Sequence, residues 1–164
     1  MKRQSHPEIE LLLNNLDDAY DDKGWHGPTL RAVSRAVPLR QAVWRPQPKR
    51  HNIAEIVVHA AYWKYAVRRR LRGDKRGSFP LKGSDWFVMP ASLSEEAWRT
   101  YLKLLDAEHR ILREAVANLP PARLHKTPER SKVSYAKLIY GVAAHDLYHT
   151  GQIRLLKSLY GSRK

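Results

Sequence analysis

The sequence predicts an all-α protein, a four-helix bundle with long connections, on three observations. Apolar residues recur at three- and four-residue spacing over four long stretches. No stretch alternates apolar and polar residues between hairpin turns. Pro, apart from the first-turn Pro7, lies in the gaps between these stretches, together with Gly24, Gly27, Gly73, Gly77 and Gly83. With 164 residues and no internal repeat, residues 1–164 read as one domain, long enough to bury a core without crosslinks.

In the first helix Ile9, Leu12, Leu16 and Ala19 trace one face after Pro7 in a first-turn position, and the pattern stops at Gly24. Residues 25–50 carry Gly27, Pro28, Pro38, Pro46 and Pro48, so they hold only short helical pieces. Asn52 and Glu55 form a capping-box pattern, after which Ile53, Ile56, Ala60, Trp63, Val67 and Leu71 make the second face, ended by Gly73. Residues 73–91 are a Gly- and Pro-rich loop around Ser84-Asp85-Trp86-Phe87, whose aromatic rings need something to pack on, as in a lid or mouth. A second capping box, Ser92 with Glu95, opens the third helix, whose stripe through Tyr101, Leu105, Leu112, Val116 and Leu119 stops at Pro120-Pro121. The fourth helix carries Tyr135, Leu138, Val142, Ile153 and Leu156 on one face and runs to about Tyr160, before Gly161.

Composition narrows the chemistry. Cysteine is absent, which excludes disulfides, thiolate metal sites and a cysteine nucleophile. No apolar run reaches a membrane span, and the N-terminus leads into Glu8 and Glu10 rather than an apolar segment, so a cytoplasmic protein away from the membrane is expected. A net charge of +14, from 30 Lys and Arg against 16 Asp and Glu, raises the question of nucleic acid. The basic residues are scattered without a nucleic-acid-binding motif, so specific recognition of nucleic acid is not expected.

The histidines carry the strongest chemical signal. At 100° per residue from Leu138, His145 falls at about −20° and His149 at about +20°, both in the centre of the apolar stripe. Two imidazoles one turn apart in a core need partners, and a divalent cation satisfies one nitrogen of each; hydrogen-bonded core histidines are the other reading. The His145-Asp146-Leu147-Tyr148-His149 string has zincin-like spacing, but residues 150–164 hold no His, Asp or Glu, so a third ligand must come from upstream. His6, His26, His51 and His125 fall in predicted loops or termini, and His109 falls to the side of its helix. His59 lies beside Trp63 near the second helix's stripe, at about −60° from Ile56. Three neutral imidazoles with an open fourth position form the ligand set of a catalytic site. Such a site takes Zn or Ni, with Mn and Fe as alternatives.

The strings Glu55-Ile-Val-Val-His59-Ala-Ala-Tyr-Trp63 and His145-Asp-Leu-Tyr-His149-Thr-Gly-Gln-Ile153 resemble the DinB-like superfamily over nearly the whole chain. That resemblance implies a four-helix bundle with an unusual helix order, often a homodimer, and a metal site on His59, His145 and His149. It also implies metal-dependent hydrolysis or thiol-dependent S-transfer on a small molecule, the latter with a low-molecular-weight thiol.

Other residues carry two readings each. Glu55 is a base toward metal-bound water or only a cap residue; Asp146 is a second candidate for proton transfer or, like Tyr148, a partner for a histidine or a neighbouring helix. Gln152 shares the histidine face and reads as a residue that bonds a ligand imidazole, with a bond to another helix as the other reading. Trp63 and Trp86 are walls of a substrate pocket or plain core. Glu108 falls within an apolar stripe and is expected to reach the surface through a bend, while Arg68, Arg69 and Arg70 wrap around their helix and read as solvated rather than as a directed anion site. Against an enzyme stands a non-catalytic bundle stapled by its metal, with the basic surface binding a partner or nucleic acid.

Overall fold

A computed structural model describes residues 6–21, 24–129 and 131–163. Its elements are α1 (Pro7–Tyr20), α2 (Leu30–Arg35), α3 (Leu39–Ala42), α4 (Ile53–Arg72), α5 (Glu95–Ala117), a 3-10 turn at Pro121–Arg123 and α6 (Tyr135–Gly161). The described residues contain no strand, and none of the helices is long and apolar enough to cross a membrane.

Local chemistry sets the helix ends. Asn52 accepts the Glu55 N–H and Glu55 reaches back to the Asn52 N–H, closing the capping box that starts α4, and Gly73 ends it in the left-handed conformation at φ 77°. The second expected capping box is corrected. Ser94, not Ser92, caps α5 by accepting the Ala97 N–H, which puts Glu95 and Glu96 in the first turn, where the helix dipole favours negative charge. α1 stops at Tyr20, four residues short of Gly24.

Each of the four long helices packs against two others: α4 against α5 and α6, and α1 against α5 and α6. Two apolar clusters fill this arrangement. One joins Ile53, Ile56 and Ala60 of α4 to Trp98 and Leu105 of α5 and Ile153 and Leu156 of α6. The other joins Val67 and Leu71 of α4 to Leu112 and Val116 of α5, Ile139 and Val142 of α6, and Ile9 and Leu16 of α1. α4 and α5 therefore run in the same direction and α6 runs against them, so the segment from Gly73 to Ser94 must return along the length of the fold.

Between the two clusters lies a polar layer. Lys64 is fully buried, and its ammonium donates to Asp146 Oδ2 on α6, lies 3.3 Å from His109 Nδ1 on α5 and sits 4.6 Å from the centre of the Tyr20 ring on α1. One lysine thus touches all four long helices. Beside it Arg68 Nε donates to Glu108 Oε2 at 2.7 Å, with both residues buried. This overturns the expectation of an exposed Glu108: the carboxylate stays inside the stripe because the Arg68 guanidinium compensates its desolvation.

His109 supplies a test of this layer. Burial, reinforced by the Lys64 charge, pushes its imidazole down to about 2, while in the unfolded chain it titrates near 6.5. A group whose folded pKa is depressed stabilises the fold above its unfolded pKa, and that contribution is lost as pH falls. Between pH 6 and 4 the stability of His109→Gln should therefore fall less steeply than that of the parent, by about 1.4 kcal/mol per pH unit in urea titrations. Parallel profiles would show that His109 takes up its proton in the folded chain too.

Candidate metal centre

α4 delivers His59 and α6 delivers His145 and His149 to one point at the edge of the polar layer. Their Nε2 atoms converge: His145 Nε2 lies 3.1 Å from that of His59 and 3.0 Å from that of His149. His59 and His149 are buried and His145 is half-buried. The three could hold a metal ion, since one nitrogen of each falls within 4.8 Å of the others.

The outer nitrogens fix how two of these rings are protonated. His59 Nδ1 lies 2.9 Å from the Asp85 carbonyl oxygen, which can only accept, so the proton sits on Nδ1 and the Nε2 lone pair faces inward. His149 Nδ1 donates to Gln152 Oε1 at 2.7 Å, with the same result, and Gln152 Nε2 in turn donates to the Tyr148 hydroxyl. Burial pushes all three imidazoles down, to about 3 for His145 and about 4 for His149, so they are neutral at pH 7. His145 Nδ1 has no hydrogen-bond partner among the described residues, and a single His145 proton cannot serve two facing lone pairs fully. A cation satisfies all three. Nitrogen separations of 3.0–3.1 Å approach the roughly 3.3 Å between tetrahedral ligands with bonds of about 2.0–2.1 Å. The residues fit the group.

The loop between α4 and α5 closes over this point. Trp86 stacks on His59, ring centres 3.9 Å apart, and on its other face stacks on His51 at 3.5 Å, which sandwiches the indole between two imidazoles. Trp63 donates its Nε1–H to Asp85 Oδ1, an oxygen that also lies 3.3 Å from His59 Nδ1. Asp85 takes the left-handed conformation at φ 64°, which a short polar side chain tolerates better than most. The expected aromatic walls, Trp63 and Trp86, thus lie beside the imidazoles, and Gln152 and Tyr148 form a relay behind His149.

The expected bases lie elsewhere. Glu55 accepts both guanidinium nitrogens of Arg45, at 2.5 and 2.8 Å, and also the Asn52 N–H and His51 Nδ1. Burial pushes its carboxyl up, but Arg45, Asn52 and His51 more than offset this and hold it below the usual value. Asp146, although next to His145 in sequence, turns its fully buried carboxylate to Lys64; burial drives that carboxyl upward against the pull of the ammonium. Neither acid is directed at the converging nitrogens. His6, His26 and His125 pair with Glu8, the Asp18 carbonyl and Glu8, remote from the triad in their bonding.

A family model of the DinB superfamily matches residues 25–153, a span that contains all three imidazoles and the loop that covers them. The chain belongs to the DinB superfamily. Comparison with curated proteins and with solved structures returns no significant match. Within this DinB protein, three residues around the imidazoles escape a reading of the sequence: Asp85, His51 and Arg45. Asp85 adjoins Trp86 in a loop whose rings call for a packing surface, and that is the one signal pointing toward it. His51 and Arg45 lie in irregular segments whose course no local pattern foretells.

Proposed function

We propose that this chain is a metal-dependent enzyme whose His59, His145 and His149 hold one divalent cation, Zn or Ni ahead of Mn or Fe, and that it transfers a low-molecular-weight thiol to a small electrophile. The same reading takes the chain as a single four-helix-bundle domain that pairs as a homodimer in the cytoplasm. What carries the metal assignment is the convergence of three neutral nitrogens with two outer N–H groups already committed. A cation so held supplies a Lewis-acid position that eases the ionisation of water or of a thiol.

The choice of transfer over hydrolysis rests on where the acids point. A bound cation brings water from 15.7 toward about 7–9, and its attack is still helped by a protein base that takes up the proton, whereas a thiol ionises near 8.5 even without a metal. Glu55 is spent on Arg45, and Asp146 on Lys64. Asp85 steadies Trp63 and His59 instead. The chain itself has no cysteine, so the thiol comes from outside.

The residues of the chain bind and orient. The Asp85 carbonyl and Gln152 hold the His59 and His149 rings with their Nε2 atoms inward, and Trp86 shields one face of His59 from water. Beside the relay lies a cavity of about 480 Å³, lined by Arg50, His51, Ile56, Gln152 and Leu155 among others, a size that suits a small-molecule substrate. The test is a screen of the metal-loaded protein against electrophiles with small thiols and, in parallel, against amides and esters, with His149→Ala as control. Thiol consumption that needs metal and His149 supports transfer. Ester or amide cleavage with the same dependence would establish hydrolysis instead, and a chain that loses its metal without losing any activity but melts at lower temperature would be a structural staple.

A further inference from the structure

The four arginines that end α4 divide by partner. Arg68 is neutralised by Glu108, and Arg72 lies 3.7 Å from Glu114. Arg69 and Arg70 turn the other way, and among the described residues their guanidinium groups bond to backbone carbonyls, of Asp74 and Ala66. They do not spread into solvent as the sequence suggests. Both line a cavity of about 460 Å³ under the loop that follows α4, where Arg76 and Lys82 join them.

Among the described residues no carboxylate lines this cavity. The acids nearest in sequence turn to other partners: Asp74 faces Arg68 at 3.8 Å, and Asp85 accepts the Trp63 Nε1–H and lies 3.3 Å from His59 Nδ1. Arg76 and Lys82 are exposed and make no ion pair among the described residues. Burial first, then the neighbouring Arg69 and Arg76 charges, push the Arg70 guanidinium down against the pull of Tyr62. The rest of the wall combines the rings of Tyr62, Trp63, Tyr65 and Phe79 with small and apolar residues of the loop, and the Tyr65 hydroxyl accepts the Gly77 N–H to hold the loop in place.

Four cations without an acid, around a space in the range of small-ligand pockets and next to π-faces, define the chemistry of an occupant. We propose that this cavity binds a small organic dianion carrying a planar apolar group, a phosphate ester above all, with the charged end on Arg70, Arg76 and Lys82 and the ring against the aromatic wall. An extended nucleic acid would instead be expected to follow cations spread along an open groove. The site is separate from the three imidazoles, although Trp63 borders both.

Phenyl phosphate is the probe, titrated calorimetrically into the metal-loaded full chain at constant ionic strength. Saturable one-to-one binding is expected, weakened about ten- to a hundredfold in Arg70→Gln/Arg76→Gln, the loss expected when charge-assisted hydrogen bonds are removed. Arg76→Gln alone, at an exposed and unpaired position, should weaken binding without touching the fold. Arg99→Gln, exposed on α5 and outside the cavity, should leave it unchanged. The proposal is overturned by absence of saturable binding, by phenol binding as tightly as its phosphate ester, or by an equal loss in Arg99→Gln. It is also overturned if binding survives the double substitution but disappears in His149→Ala, which would place the phosphate at the imidazoles. Binding of a single-stranded oligonucleotide that phenyl phosphate does not displace would likewise replace it with a nucleic-acid surface.

Discussion

His59→Ala should abolish stoichiometric binding of a divalent cation, while Gln152→Leu should only weaken it. Both act on the same three nitrogens but at different distances from the cation. Alanine at position 59 removes one of three converging lone pairs outright, leaving two imidazoles on one helix. Leucine at position 152 keeps all three but removes the oxygen that accepts the His149 Nδ1–H at 2.7 Å, so the ring is free to turn and to shift its proton toward Nε2. Loss of such an outer partner costs about ten- to a hundredfold in affinity, and loss of a ligand should exceed that. Competition with a chromogenic chelator reads both. Equal affinities for the parent and His59→Ala would exclude His59 from the site, and equal affinities for the parent and Gln152→Leu would show that the relay to Tyr148 does not orient His149. The metal-free parent should also keep its helices, because the two apolar clusters lie on either side of the imidazoles.

The sequence made the ends of α4 and the faces of its histidines legible because these depend on neighbours within one or two turns. Asn52 with Glu55, Gly73 after Leu71, and His145 one turn before His149 are local statements, and the backbone obeys them. The start of α5 falls two residues after the Ser92 to which the capping-box pattern points: Ser94 caps the helix, and Glu95 and Glu96 occupy its first turn. Glu108 and Arg68 illustrate the opposite case. Each alone reads as a residue bound for water, and only the packing of α4 on α5 turns them into a buried pair. Asp146 is a further instance: proximity to His145 along the chain suggested a role at the imidazoles, but on a helix the adjacent residue points about 100° away, and that direction leads to Lys64. Asp85 lies 26 residues from the His59 ring it orients, a separation no periodicity spans.

Loss of Lys64 should cost the fold heavily, and its place four residues after Ala60 and three before Val67 puts it on the apolar stripe of α4. Lys64→Met should destabilise the protein by about 3–5 kcal/mol, the cost of breaking a buried ion pair by removing one partner. Asp146 is fully buried, and its other oxygen, Oδ1, has no hydrogen-bond partner among the described residues. Without the ammonium it must either keep an uncompensated charge or take up a proton. For a chain of this length the loss corresponds to a fall in Tm of roughly 6–20 °C. The sign of the pH dependence follows. In the variant the carboxyl's folded pKa rises well above its unfolded value near 3.9, so the variant is least handicapped at low pH and loses stability as pH rises toward neutrality. Lys64→Met/Asp146→Leu should recover much of the deficit, since replacing a whole buried pair by apolar groups is often neutral or favourable. Urea titrations of the single and double variants decide the matter. A deficit under about 1 kcal/mol in Lys64→Met would mean that water reaches Asp146 once the lysine is gone. Failure of the double variant to recover would shift the importance from the charge pair to the contacts that the lysine makes with His109 and the Tyr20 ring.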